Sequence, residues 1–187
     1  MHRTASTVVA SLVALAALPV ASLAAEPAAA PAAAAAKKPV ISCEGNEKNL
    51  KTYLEIHKVL FMERDSTRVG EFYAPEVISH NLDSGGGSAR PVKNSDMAAM
   101  WAASKKHDPK RALADDLILC SGPYVIVRTT MHGSDNFGYE GNKPTGKSYS
   151  ISATDIYRFE NGKVVERWGN ADLVSKIGRA SCRERVS

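Results

Sequence analysis

Asp155 is the residue best placed to do chemistry. Across residues 148–159, Tyr149, Ile151, Ala153, Asp155, Tyr157 and Phe159 share one face of a period-two pattern, and Ser148, Ser150, Ser152 and Thr154 share the other. Asp155 therefore lies on the apolar face of a strand, where burial disfavours the ionised carboxylate and raises its pKa. Such a carboxylate in a cleft is a candidate general acid or base; a structural ion pair with an arginine is the plainer reading. Register decides between partners. If Asn161-Gly162 is a two-residue turn, Asp155 faces Trp168, with Asn170 and Asp172 on the same side. If Glu160, Asn161 and Gly162 form a three-residue loop with a glycine bulge, Asp155 faces Arg167, with Gly169 next along. The second register is favoured, because Asn-Gly-Lys after an ordinary residue suits that loop. A pair with Arg167 would lower the Asp155 pKa and suit it to be a base, and Arg167 could instead bind an anionic substrate group. His80 titrates near neutrality and precedes the flexible Gly85-Gly86-Gly87 loop, at a cavity mouth or on the surface. Tyr157 or His80 could stabilise an enolate oxygen. Tyr53, Phe61, Trp101, Tyr149 and Asn81 are candidates to wall a pocket, with core packing the alternative for each aromatic.

These side chains need a scaffold. Leu50, Tyr53, Leu54, His57, Leu60 and Phe61 recur at helical spacing opposite Lys51, Glu55, Lys58 and Glu63, which predicts an amphipathic helix beginning near Asn46 or Asn49. Ser66 is placed to cap a short second helix through Phe72, ended by Pro75. Residues 77–81 read as a short strand, and Asn94 or Ser95 begins a third helix carrying Met97, Met100 and Trp101. Residues 113–120 and 124–131 flank a turn at Ser121-Gly122-Pro123, residues 133–147 form a long loop, and residues 149–159 and 164–171 make the last hairpin. Helices first and a meander of long strands after predict an α+β fold, with N-terminal helices packed on a curved antiparallel sheet.

At this point a resemblance becomes specific. Residues 73–81, from Tyr73 to His80-Asn81, resemble the Y-x-x-x-x-x-x-H-N segment of SnoaL-like proteins. Residues 155–168 resemble their strand–turn–strand signature, and Lys143-Pro144-Thr145-Gly146-Lys147 is similar to their P-T-G loop. The resemblance spans roughly residues 48–172 and implies the NTF2-like cone. It implies a family of polyketide cyclases, with steroid isomerases, dehydratases and binding modules on related folds, so fold alone does not give function. Its H-W-D motif falls on Arg167, Trp168 and Gly169. Gly169 cannot transfer a proton, so any acid–base role passes to Asp155 or His80. The expected activity is acid–base cyclisation, isomerisation or dehydration of a small apolar carbonyl compound. The alternative is a module that binds a small hydrophobic ligand or a partner without turnover. Related folds commonly dimerise through the sheet, which implies a homodimer.

Other chemistries lack a basis. No nucleophile elbow, phosphate loop or dinucleotide fingerprint occurs, and Asp115-Asp116 with scattered histidines makes no metal-ligand pattern, so neither cofactor nor metal is expected.

The ends of the chain read differently from its middle. Met1-His2-Arg3, an apolar run at residues 8–21 and Ser22-Leu23-Ala24 predict a signal peptide cleaved near Ala24 or Ala25. The run falls short of the ~20 residues a membrane span needs. A secreted or periplasmic domain free of the membrane is the expectation. Residues 25–39 are an Ala/Pro-rich linker, and residues 40–176 form one domain. Residues 177–187 resemble the translation of a sequencing-library adapter and are expected to be non-native. The chain has 24 Lys and Arg against 20 Asp and Glu, a net charge of +4. Arg179, Arg183 and Arg185 against Glu184, together with Arg3, account for three of those four charges. The remainder is nearly neutral, which removes the basis for a nucleic-acid partner. Of three cysteines, Cys182 is in the tail. Cys43 and Cys120 form either a disulfide, as export permits, or two buried thiols.

Overall fold

The computed structural model describes residues 38–80, 89–136 and 143–173. In chain order these form β1 (Val40–Ser42), α1 (Glu47–Ile56) continued by a π-helical segment (His57–Met62), a 3-10 turn (Ser66–Arg68), α2 (Val69–Phe72), β2 (Tyr73–Ser79), β3 (Arg90–Lys93), α3 (Asn94–His107), β4 (Ala112–Ser121), β5 (Tyr124–Ser134), β6 (Ser148–Glu160) and β7 (Lys163–Ala171). The seven strands make one sheet in the order β1-β4-β5-β6-β7-β2-β3. The four long strands β4 to β7 are antiparallel neighbours, as expected. Parallel pairing of β1 with β4 and of β2 with β7 makes the sheet mixed.

The alternation read from sequence appears directly in β6. Ile151, Ala153, Asp155, Tyr157 and Phe159 are buried, and the residues between them are partly exposed. Against this face pack Tyr53 and Ile56 of α1, Val59 and Leu60 of the π-helical segment, and Val69 and Phe72 of α2. Each such side chain stabilises the fold by roughly 1.5–3 kcal/mol on full burial. Helix α3 fully buries only Met97, and Trp101 packs partly against the core.

Two elements depart from expectation. Strand β2 starts at Tyr73 rather than Val77 and runs through Pro75. Its ladder with β7 is broken between Tyr73 and Ile78, so the missing proline N–H removes no bond that the pairing needs. Strand β1 has three exposed residues and therefore no burial pattern to read. A disulfide between Cys43 and Cys120, with Cα atoms 4.5 Å apart and a sequence separation of 77, ties the chain just after β1 to β4.

The expected signal peptide and adapter-like tail lie outside the described residues, as do Asn81 and the Gly85-Gly86-Gly87 loop. Among the described residues, no helix is long and apolar enough to cross a membrane.

Candidate functional site

A cavity of about 980 Å³ opens between the helices and the inner face of the sheet, and Phe61, Trp101, Tyr149, Ile151, Asp155 and Arg167 are among its walls. Asp155 points inward because of its parity on β6. Its partner on β7 is Gly169, and Tyr157 is opposite Arg167. Arg167 reaches back diagonally, donating from Nε at 3.1 Å and from Nη2 at 2.6 Å. Both bonds go to Oδ1. Oδ2 carries no hydrogen bond among the described residues.

The turn that sets this register is shorter than expected. Glu160 pairs with Lys163, and Asn161 and Gly162 have φ of 51° and 78°, both left-handed, as a type I′ turn requires. Unmodified, that two-residue turn would place Asp155 opposite Trp168. A bulge further along, where Phe159 pairs with Val164 but Arg158 pairs with Glu166, absorbs Val165 and restores Arg167 and Gly169 to the inner face. The three-residue loop is thus corrected to a tight turn followed by a bulge.

Buried phenols surround the pair. Burial raises the Tyr157 pKa, with Asp155 adding to it, and burial raises that of Tyr73 as well. Both remain protonated at neutral pH and keep an O–H to donate. Tyr73 is fully buried, and its hydroxyl has no hydrogen-bond partner among the described residues. Tyr157 is stacked beneath the Arg167 guanidinium, 5.8 Å from ring centroid to Cζ, and is absent from the cavity wall. Burial disfavours the Arg167 cation, but Asp155 and the two phenols outweigh this and hold its pKa above the ordinary value.

The remaining predicted residues divide. Phe61, Trp101 and Tyr149 border the cavity, and Phe61 meets Trp101 edge-on at 5.7 Å. Tyr53 does not border it. Its hydroxyl is buried and donates to both oxygens of Asp115, at 3.0 and 3.1 Å, and burial raises its pKa. His57 Nδ1 lies 2.9 Å from Asp115 Oδ2. Of the two placements open for His80, the structure gives the outer face of the sheet, away from Asp155, where it borders a separate pocket of about 300 Å³ with Trp168 and Asn170. It follows β2 and meets the outward side chains of β7, with Nε2 2.8 Å from Glu166 Oε1 and its ring stacked on Trp168 at 4.6 Å. The His80 hydrogen bond, with Arg158 beside it, lowers the Glu166 pKa. His80 and Asp155 thus occupy opposite faces.

The sequence reading missed a cluster at the cavity mouth. Asp108, just after α3, accepts at Oδ2 from the Tyr149 hydroxyl at 3.1 Å and from Ser134 N at 3.2 Å. Arg64 Nη1 donates to the Asp108 carbonyl at 2.5 Å. Gly133 makes this possible, since a Cβ there would run into Asp108 Oδ2 and the Tyr149 hydroxyl. The signal for His57 and Asp115 was present, a histidine one turn beyond Tyr53 on an apolar helix face, but the bulge at Asp116 concealed the parity of Asp115. Nothing in the sequence announces Arg64, whose φ is 56°. Among the described residues, no group of three or more His, Cys, Asp or Glu side chains could hold a metal ion.

Helices on one face of a curved mixed sheet, enclosing a polar-floored cavity, define an NTF2-like domain. A family model described as SnoaL-like polyketide cyclase matches residues 51–177, and the chain belongs to that family. Solved structures similar to it include IdmH of Streptomyces antibioticus, assigned as a polyketide cyclase, at 19% identity and a TM-score of 0.60, covering 70% of this chain and 96% of that one. AclR of Streptomyces galilaeus, assigned as a hydroxylase, matches at 20% identity and a TM-score of 0.60, covering 75% and 85%. A SnoaL-like protein of Jannaschia sp. CCS1, assigned as a polyketide cyclase, matches at 18% and 0.62, covering 72% and 92%. At these identities the likeness shows the fold alone. No curated protein matches the chain by sequence.

Proposed function

We propose that this domain binds a small, largely apolar, carbonyl-bearing molecule in the cavity and moves a proton on it with Asp155. The observation that carries the reading is the one-sided grip of Arg167 on Oδ1, which keeps the carboxylate oriented and leaves Oδ2 to accept a proton. The parity of β6 turns this carboxylate into the cavity, within reach of a bound molecule, as a base requires. Gly169, at the family's acid position, lies directly across the strand pair from Asp155. The carboxylate has in effect changed strands while staying at the same level of the sheet. Aromatic and aliphatic walls supply the binding free energy, and Arg167 stabilises negative charge as it develops on the substrate oxygen. Export and dimerisation are part of the proposal. The Cys43–Cys120 disulfide supports an oxidising compartment, and the Trp168 and Tyr124 rings on the outer face, 6.2 Å apart, support a second copy there.

The test is proton exchange. A panel of ketones and enones in deuterated water is followed by NMR for loss of the α-proton signal, with wild-type protein and with Asp155→Asn. Wild type should accelerate exchange of at least one compound, and the variant should lose about 10²–10⁴ of that rate. An unchanged rate in the variant, or binding without exchange across the panel, gives the function to a non-catalytic module for small hydrophobic ligands.

A further inference from the structure

We propose that the mouth of the cavity holds an anion subsite formed by Arg111 and backed by Arg64, which takes the carboxylate of an otherwise apolar substrate. The proposal rests on the ligand-binding reading above and narrows it to amphipathic acids.

Two arginines at this end of the fold lack a carboxylate bonded to their guanidinium among the described residues. Arg68, Arg158 and Arg167 each have a carboxylate partner. Arg64 and Arg111 make no ion pair among the described residues. Arg64 is only 9% exposed, and its Nη2 is buried without a hydrogen-bond partner. Arg111 borders the cavity, and its Nε is likewise buried without one. Leaving such a donor unsatisfied is costly, the more so for a charged group.

The carboxylate at hand does not resolve the imbalance. Asp108 gives Oδ2 to Tyr149 and Ser134, and its Oδ1 is buried with no partner. Its charge favours the Arg64 cation without outweighing burial and Arg111, and its hydrogen bond with Arg64 is through its backbone carbonyl. Lys105 adds a third cation nearby, bonded at 3.2 Å to the carbonyls of both Glu63 and Arg64. Burial, and next the Arg111 charge, depress the Arg64 pKa, which places the two guanidiniums close enough to repel. Arg64 is also held at φ 56°, a left-handed conformation that non-glycine residues rarely adopt. Guanidinium donors match a carboxylate in geometry and supply charge-assisted bonds. The subsite lies on the wall of the same cavity as Asp155, so one molecule can place its acid at the mouth and its carbonyl at the floor.

The experiment measures affinities of the full chain for three probes. These are 2-naphthoate, its neutral isostere 2-acetylnaphthalene, and inorganic phosphate. Wild type should bind the naphthoate about tenfold more tightly or better, as charge-assisted bonds to a guanidinium allow, and raised salt should narrow the gap. Arg111→Gln should abolish the preference while leaving the neutral probe unaffected. Arg111→Lys, which keeps the charge and loses the fork, should restore part of it. Because the Arg111 side chain makes no ion pair among the described residues and its Nε is buried without a hydrogen-bond partner there, Arg111→Gln should melt no lower than wild type, whereas a structural arginine would show a loss. Equal affinity for the two naphthalenes, or a preference that survives Arg111→Gln, overturns the subsite and leaves the cavity reading intact. Phosphate binding lost in Arg111→Gln without any naphthoate preference would assign the arginines to a free anion and overturn the substrate class. Failure of both naphthalenes to bind would remove the cavity reading itself.

Discussion

Replacing Tyr73 by Phe removes one oxygen and nothing else. The ring stays wedged against Trp101, whose centroid is 5.7 Å away at a steep angle. The hydroxyl is fully buried and has no hydrogen-bond partner among the described residues. A buried hydroxyl denied its hydrogen bond costs about 1–3 kcal/mol relative to an apolar group of the same shape. The void left by the oxygen is on the order of 10 Å³, which at ~24 cal/mol per Å³ costs about 0.2 kcal/mol. The balance favours the variant by about 1–2 kcal/mol, or several degrees in Tm for a domain of this size. Function should move little. Tyr73 is fully buried and does not border the cavity, so its hydroxyl does not meet a bound substrate, and any catalysed exchange should stay within about threefold of the wild-type rate, well short of the roughly 10²-fold or more lost with a donor that touches the reacting oxygen. The assay is a paired one, thermal unfolding beside α-proton exchange. A Tyr73→Phe protein that melts lower than wild type would refute the reasoning, since the hydroxyl must then hold a bond in solution.

Three further outcomes follow from the same geometry. Gly133→Ala should cost about 1–3 kcal/mol through overpacking, because the new methyl displaces Asp108 and Tyr149, from whose Cζ it would lie 2.6 Å; denaturant unfolding gives the figure, and a neutral effect would mean the mouth cluster is loosely held. Reducing the Cys43–Cys120 bond should destabilise the domain by about 4 kcal/mol for a closed loop of this length, read as a drop in Tm with reductant and absent in Cys43→Ser. Glu166 has a folded pKa below its unfolded one, so the stability it confers is present above about pH 4.5 and is lost as pH falls through the lower, folded value. Glu166→Gln should accordingly be less stable than wild type near pH 7, with the two curves converging in acid.

The face that Asp155 occupies was legible because a strand of thirteen residues keeps strict alternation along its length. Its arginine was legible too, although for an incomplete reason. The expected loop put Arg167 directly opposite, whereas a tight turn and a later bulge place it one diagonal away on that same face. Period-two patterns report faces well and bulges poorly, because a bulge adds one residue without changing composition. The placement of His80 stayed open because its surroundings come from β7, which lies far along the chain, and local sequence could not say which side of that strand it would meet. The mouth cluster was invisible for a related reason. Arg64, Asp108, Gly133 and Tyr149 come from four separate elements or loops, and each alone reads as an ordinary surface or turn residue.

The bulge at Val165 makes the site depend on chain length as well as on side-chain identity. One more residue between Val165 and Arg167, absorbed as regular strand, would turn Arg167 and Gly169 to the outer face and deliver Glu166, Trp168 and Asn170 into the cavity. Every catalytic candidate would still be encoded, yet Asp155 would lose its cation and face an indole or an amide. Divergence among domains of this architecture can therefore proceed by single-codon insertions and deletions in the last hairpin, exchanging an entire set of cavity residues in one event. Comparisons that align such chains by residue type alone would record the change as the loss of a motif, when the physical event is a rotation of the strand.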